Sequence, residues 1–267
     1  MTNRIRALSL VLACCLTPLA AAQEPPPAEE QPREEKPQHD DGRRVGGRLF
    51  SNLGRNGVGM FGRQNLKPFL IGAAATGLST PFDDNLKRYF GEERRAKWLG
   101  ETASFVGKPY VIGPGTLALY GLGRWSHNQR FRDFTYDLAQ TTLVTAVYTT
   151  AIKLPAHRLR PDGSDHLSFP SGHTSNAFAW ATVGTRYYGL KAAVPGYLWA
   201  GLMGVGRMEK SRHYLSDVVG GATLGVLSGL TCVRRDGEAL KDARQVSLAP
   251  LQSGSGDGVG IHLLVDF

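Results

Sequence analysis

Residues 207–233 read RMEKSRHYLSDVVGGATLGVLSGLTCV. From Val218 onward the stretch carries no charge, and Gly221, Gly225 and Gly229 recur every four residues, so a helix here presents one face of bare backbone. A second helix can sit closely on such a face, whether the bundle is in water or in lipid. Four further charge-free stretches lie upstream, at 68–82, 109–123, 138–152 and 192–206. Their length suits buried core helices better than full spans, which need about 20 residues. Gly and Pro break the chain between them, and strand-like alternation is scarce before the last twenty residues. The expected fold is mainly α, a bundle of about six helices.

The ends read differently. Arg4 and Arg6 precede an apolar run at 7–16, and Ala20, Ala21 and Ala22 stand before Gln23, so 1–22 is expected to be a secretory signal. Residues 23–48 carry Pro25, Pro26, Pro27, Pro32 and Pro37 among Glu, Gln, Arg and Gly, the composition of a solvated, disordered linker. The folded domain is expected over 49–243, with a tail at 244–267. In the tail Val259, Ile261, Leu263, Val265 and Phe267 alternate with Gly260, His262, Leu264 and Asp266, and a weaker alternation at Val246 and Leu248 completes an expected short β-hairpin. Cys232 alone of the three cysteines falls in the folded domain, so no internal disulfide is expected there. Gly57-Val-Gly59-Met-Phe-Gly62 matches a dinucleotide fingerprint letter for letter, but polar residues 51–56 stand where its strand belongs, and the segment is expected to be a loop.

A hydrophobic fraction of 42% with 20% charged residues excludes a wholly disordered chain. Mean hydropathy of −0.22 is low for a polytopic membrane protein, while 33 glycines are many for an ordinary soluble enzyme, so composition leaves the membrane question open. The net charge of +8 favours anionic substrates and lipid surfaces.

Three clusters carry the chemistry: Lys153 with Arg160-Pro161, then Pro170-Ser171-Gly172-His173, then Arg207 with His213 and Asp217. A phosphoryl group in flight spreads charge over three oxygens, so its catalysis is mainly positioning and neutralisation. Lys153, Arg160 and Arg207 supply three cations for that task, and arginine grips two oxygens at once. Ser171-Gly172 before the stretch starting at Thr174 reads as a helix N-terminus, where free N–H groups favour an anion; Ser171 as a simple N-cap is compatible with that. Asp217 lies one helical turn beyond His213, close enough to fix its tautomer, unless it serves as N-cap to a helix beginning at Val218, a task Ser216 could take instead.

In order, spacing and residue type these clusters resemble the three signature motifs of the type 2 phosphatidic acid phosphatase (PAP2) superfamily, which includes bacterial acid phosphatases and vanadium haloperoxidases. The resemblance covers about residues 130–230, and it departs from the family at Gly206, where the third motif usually has serine. It implies that His213 is a nucleophile forming a phosphohistidine, that His173 is the acid and base, and that Asp217 supports His213. It assigns Lys153, Arg160, Ser171, Gly172 and Arg207 to the phosphate, and it implies neither metal nor other cofactor. His157 and His166 are candidates for the substrate entrance or simply solvated, and His127 is expected at the surface.

The expected function is hydrolysis of a phosphate or pyrophosphate monoester, most readily of a lipid, by an exported envelope protein. Its site would face outward from the periplasm or the inner membrane, with a phosphorylated lipid or small phosphomonoester and a membrane surface as partners, and no nucleic acid. Two alternatives use the same pocket. A vanadium haloperoxidase would need extra helices that a short folded part leaves no room for, and a non-catalytic binder of anionic head groups would not need the histidines.

Overall fold

The computed structural model describes residues 44–93, 97–233, 248–250 and 261–263, and it is mainly helical. The expected signal and most of the expected linker lie outside the described residues. The chain divides into two units, Met1–Cys232 and Val233–Phe267.

In the first unit the helices run α1 (Leu49–Gly59), α2 (Leu66–Ser79), α3 (Asp83–Glu93), α4 (Lys97–Val106), α5 (Pro109–Trp125), α6 (Gln129–Ala156), α7 (Gly172–Tyr188), α8 (Leu190–Glu209) and α9 (Leu215–Val233). All five charge-free stretches fall within or across these helices. α6 is far longer than its apolar part because Asn128 caps a polar first third: its side chain accepts from the Phe131 N–H at 3.0 Å. It ends at His157, whose left-handed φ of 41° stops the ladder.

α7 packs against α6 and α8, α4 packs against α8, and α5 against α6. The bare face of α9 lies on α7. A Cβ on Gly221 would stand 2.6 Å from the Ser171 carbonyl oxygen, one on Gly225 would collide with the Ser175 carbonyl, and one on Gly229 would meet Thr182. Close to this seam Leu86, Phe90, Met208, Leu215 and Val218 form a buried apolar cluster joining α3, α8 and α9.

Two expectations need correction. The segment around Gly57 and Gly59 is not a loop, since α1 runs to Gly59. Polar anchors on α6 hold it: Asn52 Nδ2 donates to Tyr136 Oη at 2.7 Å, Gln140 Nε2 to Leu49 O at 2.7 Å, and Tyr148 Oη to Gly57 O at 2.8 Å. Arg44, inside the segment expected to be solvated, is buried against Asp137, with Nε and Nη2 donating to the two carboxylate oxygens at 3.0 and 2.9 Å. Tyr187 Oη donates to the same carboxylate at 2.6 Å.

Large apolar side chains also face outward, among them Ile71 and Leu78 on α2, Leu117 and Trp125 on α5, and Leu190 on α8, each more than two-thirds exposed. Among the described residues only Leu215–Val233 is long and apolar enough to cross a membrane, and 67% of it is buried inside the protein.

Within the second unit Leu248–Pro250 and Ile261–Leu263 pair antiparallel, with Leu248 opposite Leu263. Three residues a side do not establish the expected hairpin, whose remaining residues lie outside those described.

Candidate active site

Two loops meet at one end of the bundle. Residues 157–171 join α6 to α7 and residues 210–214 join α8 to α9; Asp162 N–H donates to Ser211 O at 3.0 Å, and Ser171 N–H to Asp217 O at 2.9 Å. His213 is buried in the shorter loop, and its two ring nitrogens have different company. Nδ1 lies 3.7 Å from Asp217 Oδ2, an ion-pair distance too long for a hydrogen bond, while Nε2 lies 3.3 Å from Arg160 Nη1. Burial pulls the His213 ring down to about 4, with the Arg207 and Lys153 cations adding to the effect and Asp217 opposing it. The ring is therefore neutral around pH 7.

Asp217 is fully buried and heavily bonded. Oδ1 accepts from Arg158 Nη1 at 2.8 Å, and Oδ2 accepts from Ser168 Oγ and from the Tyr214 N–H at 2.8 Å. That last bond is the return half of a capping box, from the third helical residue to the N–H just before α9. α9 thus begins at Leu215, so neither Asp217 nor Ser216 is its N-cap residue. The Ser216 N–H and hydroxyl both donate to Asp83 instead.

The three expected phosphate cations converge on this end. Arg160 Nε donates to Asp165 Oδ1 at 2.6 Å, and Nη1 to Arg212 O at 3.1 Å. Burial alone would raise the Asp165 carboxyl, but the Arg160 bond and the Leu167 N–H hold it below the usual range. Lys153, in the last turn of α6, donates through Nζ to Leu167 O. Arg207, in the last turn of α8, is buried and donates through Nη1 to Ser104 Oγ at 2.7 Å; its Nε has no hydrogen-bond partner among the described residues.

Ser171 stands at the N-cap position of α7, but its side chain bonds no helix N–H; its Oγ accepts instead from Thr174 Oγ1 at 3.0 Å. Ser171 is thus the N-cap residue by position while its hydroxyl caps no amide, and the first amides of α7, beginning at Gly172, form the positive end of the helix. The His173 ring faces the Ser104 backbone, and its Nε2 is buried with no hydrogen-bond partner among the described residues. Gly107 touches this ring so closely that a Cβ there would collide with it. His157 and His166 stack at 4.3 Å with ring planes 9° apart, both exposed within the 157–171 loop, and His127 is exposed.

The site residues thus come from the segment 153–217, and a family model described as the PAP2 superfamily matches residues 134–239. The segment that carries the site is thus similar to the PAP2 superfamily. Lipid A 1-phosphatase from Porphyromonas gingivalis is 47% identical over 172 residues, which make up 62% of this chain and 38% of that protein. The chain therefore spans well under half of that relative's length. The crystal structure of a transmembrane PAP2 type phosphatidylglycerolphosphate phosphatase from Bacillus subtilis superposes with a TM-score of 0.55 at 19% identity, covering 68% of this chain and 98% of the other. That likeness concerns the PAP2 fold.

Around the PAP2 motifs the structure adds residues that sequence reasoning missed. Arg158 sits between Lys153 and Arg160 and bonds Asp217; its one sequence signal is that arginine at a stretch already rich in cations. Ser168 bonds the same carboxylate, and Ser104 and Gly107 approach from α4 and the turn after it. The last two are small residues with no local signature, brought to the site by the packing of α4 on α8.

Proposed function

We propose that this protein is a histidine phosphatase that releases phosphate from a phosphorylated lipid through a phosphohistidine. One observation carries the reading: His213 is neutral and buried, with one nitrogen toward a buried carboxylate and the other, Nε2, beside the Arg160 guanidinium. A phosphate held by Arg160, Arg207, Lys153 and the α7 amides would present its phosphorus to Nε2. Burial pulls the His173 ring down to about 3, and the charge of a bound phosphate would offset that and let its Nε2 take up a proton. The Nε2–P bond of His213 then forms as the P–O ester bond breaks, and His173 gives that proton to the departing oxygen. His173 then takes a proton from water, whose oxygen attacks phosphorus and frees Nε2. Asp217 offsets the positive charge that the His213 ring acquires in between.

The lipid class rests on two supports: the likeness to a Porphyromonas lipid A 1-phosphatase, and the outward-facing apolar side chains, which suit a bilayer. The Arg4/Arg6 and apolar-run pattern supports a site outside the cytoplasm, in the periplasm or at the outer side of the inner membrane.

The test is phosphate release by purified protein from lipid A 1-phosphate, phosphatidylglycerol phosphate and a soluble phosphomonoester. Release from a lipid substrate that falls by more than about a thousandfold in His213→Ala is expected. Undiminished release in that variant, or none from any lipid by the wild type, overturns the reading.

A further inference from the structure

Arg158 joins two buried carboxylates that come from distant parts of the chain. Its Nη1 donates to Asp217 Oδ1 at 2.8 Å and to Ser216 Oγ at 2.6 Å, and its Nη2 donates to Asp83 Oδ2 at 2.8 Å. The guanidinium carbon stands 4.2 Å from the centre of the Tyr214 ring, which fixes the plane of the fork. Asp83, the first residue of α3, also accepts from the Ser216 N–H at 2.9 Å and from the Ser216 hydroxyl at 2.6 Å. Asp83 and Asp217 are 5% and 0% exposed, so water screens the two carboxylates little, while the Arg158 side chain is 31% exposed and stays partly solvated.

Resting on the phosphatase reading, we propose that Arg158 and Asp83 form a clasp that positions Asp217 against His213 and sets how much of its negative charge the nucleophile feels. Two carboxylates share one guanidinium, so Asp217 is only partly neutralised. The Ser216 bonds pull the start of α9 onto Asp83, and α9 carries Asp217. The side-chain hydrogen bonds of Arg158 and Asp83 run to each other, to Asp217 and to Ser216, so both act through Asp217 as positioning residues.

The other charged and titratable groups facing His213 are Lys153 on α6, Arg160 in the 157–171 loop, His173 at the start of α7 and Arg207 at the end of α8. With these unchanged, removing the Arg158 cation unmasks Asp217 and favours a protonated His213. Removing the Asp83 charge leaves Arg158 to Asp217 alone and does the reverse. A merely structural clasp predicts no such opposition of sign.

The experiment titrates the His213 ring by NMR in detergent-solubilised full-length protein with isotope-labelled histidine, the signal being assigned by its loss in His213→Gln. Arg158→Gln is expected to move the titration to higher pH by about one unit and Asp83→Asn to lower pH. With lipid phosphate as substrate, Arg158→Gln is expected to lose about a hundredfold in kcat with little change in KM. Should Arg158→Gln not fold, Arg158→Lys keeps the charge but reaches one carboxylate, and kcat should fall while the titration stays near that of the wild type. Shifts of the same sign in Arg158→Gln and Asp83→Asn, or unshifted titrations in folded variants, overturn the clasp. A wild type that titrates as described yet releases no phosphate sinks the phosphatase reading alone, because the titration reads His213 without turnover.

Discussion

At His213 the burial that keeps the ring neutral and nucleophilic also makes the folded protein sensitive to acid. An imidazole in the unfolded chain takes up its proton near pH 6.5, whereas burial holds the folded ring down to about 4. Below pH 6.5 the unfolded state binds the extra proton, so the group's contribution to stability is complete above about 6.5 and is lost progressively as pH falls toward 4. The gap between the unfolded and folded values corresponds to ~3 kcal/mol at most. The thermal midpoint should drop between pH 7.5 and pH 5, and the drop should shrink in His213→Gln, which has nothing to titrate there. An equal drop in both proteins would assign the acid sensitivity to other groups. The same residues show what was legible at this scale. Lys153, Arg160, His173, Arg207, His213 and Asp217 are rare chemical types at fixed spacings, and the fold brings them to one end. Arg158 hid because its partner Asp83 is 75 residues away, and Ser104 because its role is one hydroxyl and one carbonyl placed by tertiary packing.

Between elements, the α7–α9 seam fixes the distance from the phosphate end of α7 to the loop that carries His213. At Gly225 a methyl group would press on Ser175 O and on Ala179 N at 2.9 Å, both backbone atoms that cannot rotate away. Gly225→Ala should therefore cost about 1–3 kcal/mol by overpacking and lower kcat, since Ser171 N–H bonds Asp217 O across the same seam. Gly121, inside α5 with nothing within 4 Å of its missing Cβ, is the control: Gly121→Ala should gain up to about 1 kcal/mol from helix propensity. Thermal midpoints and initial rates of the two variants check both signs, and equal behaviour would mean that the seam is looser than its contacts indicate. This seam was readable because a four-residue glycine repeat is a local pattern. α1 was not, because Gly54, Gly57 and Gly59 argue against a helix locally and its hydrogen bonds to Tyr136, Gln140 and Tyr148 belong to another element.

For the molecule as a whole, the outward apolar side chains decide which solvent it needs. Ile71 on α2, Leu117 on α5 and Leu190 on α8 are 71%, 69% and 76% exposed, while α9, long enough to span, is largely packed inside. Apolar surface spread over three helices is a liability in water and an asset in lipid. The two solvents predict opposite results for one variant. In a bilayer, an aspartate placed at Ile71 or Leu117 costs about 2.5–3.5 kcal/mol when it lies near the centre. Ile71→Asp/Leu117→Asp should then reduce the yield of membrane-retained protein and lower activity, even though neither position touches the candidate site. In water the same charges would interrupt an apolar patch and improve solubility. Fractionation of expressing cells followed by an alkaline wash separates the cases: the wild type should stay with the membranes and dissolve only in detergent, and the double variant should be depleted there. A double variant that is soluble, folded and fully active without detergent would show that these side chains do not meet lipid.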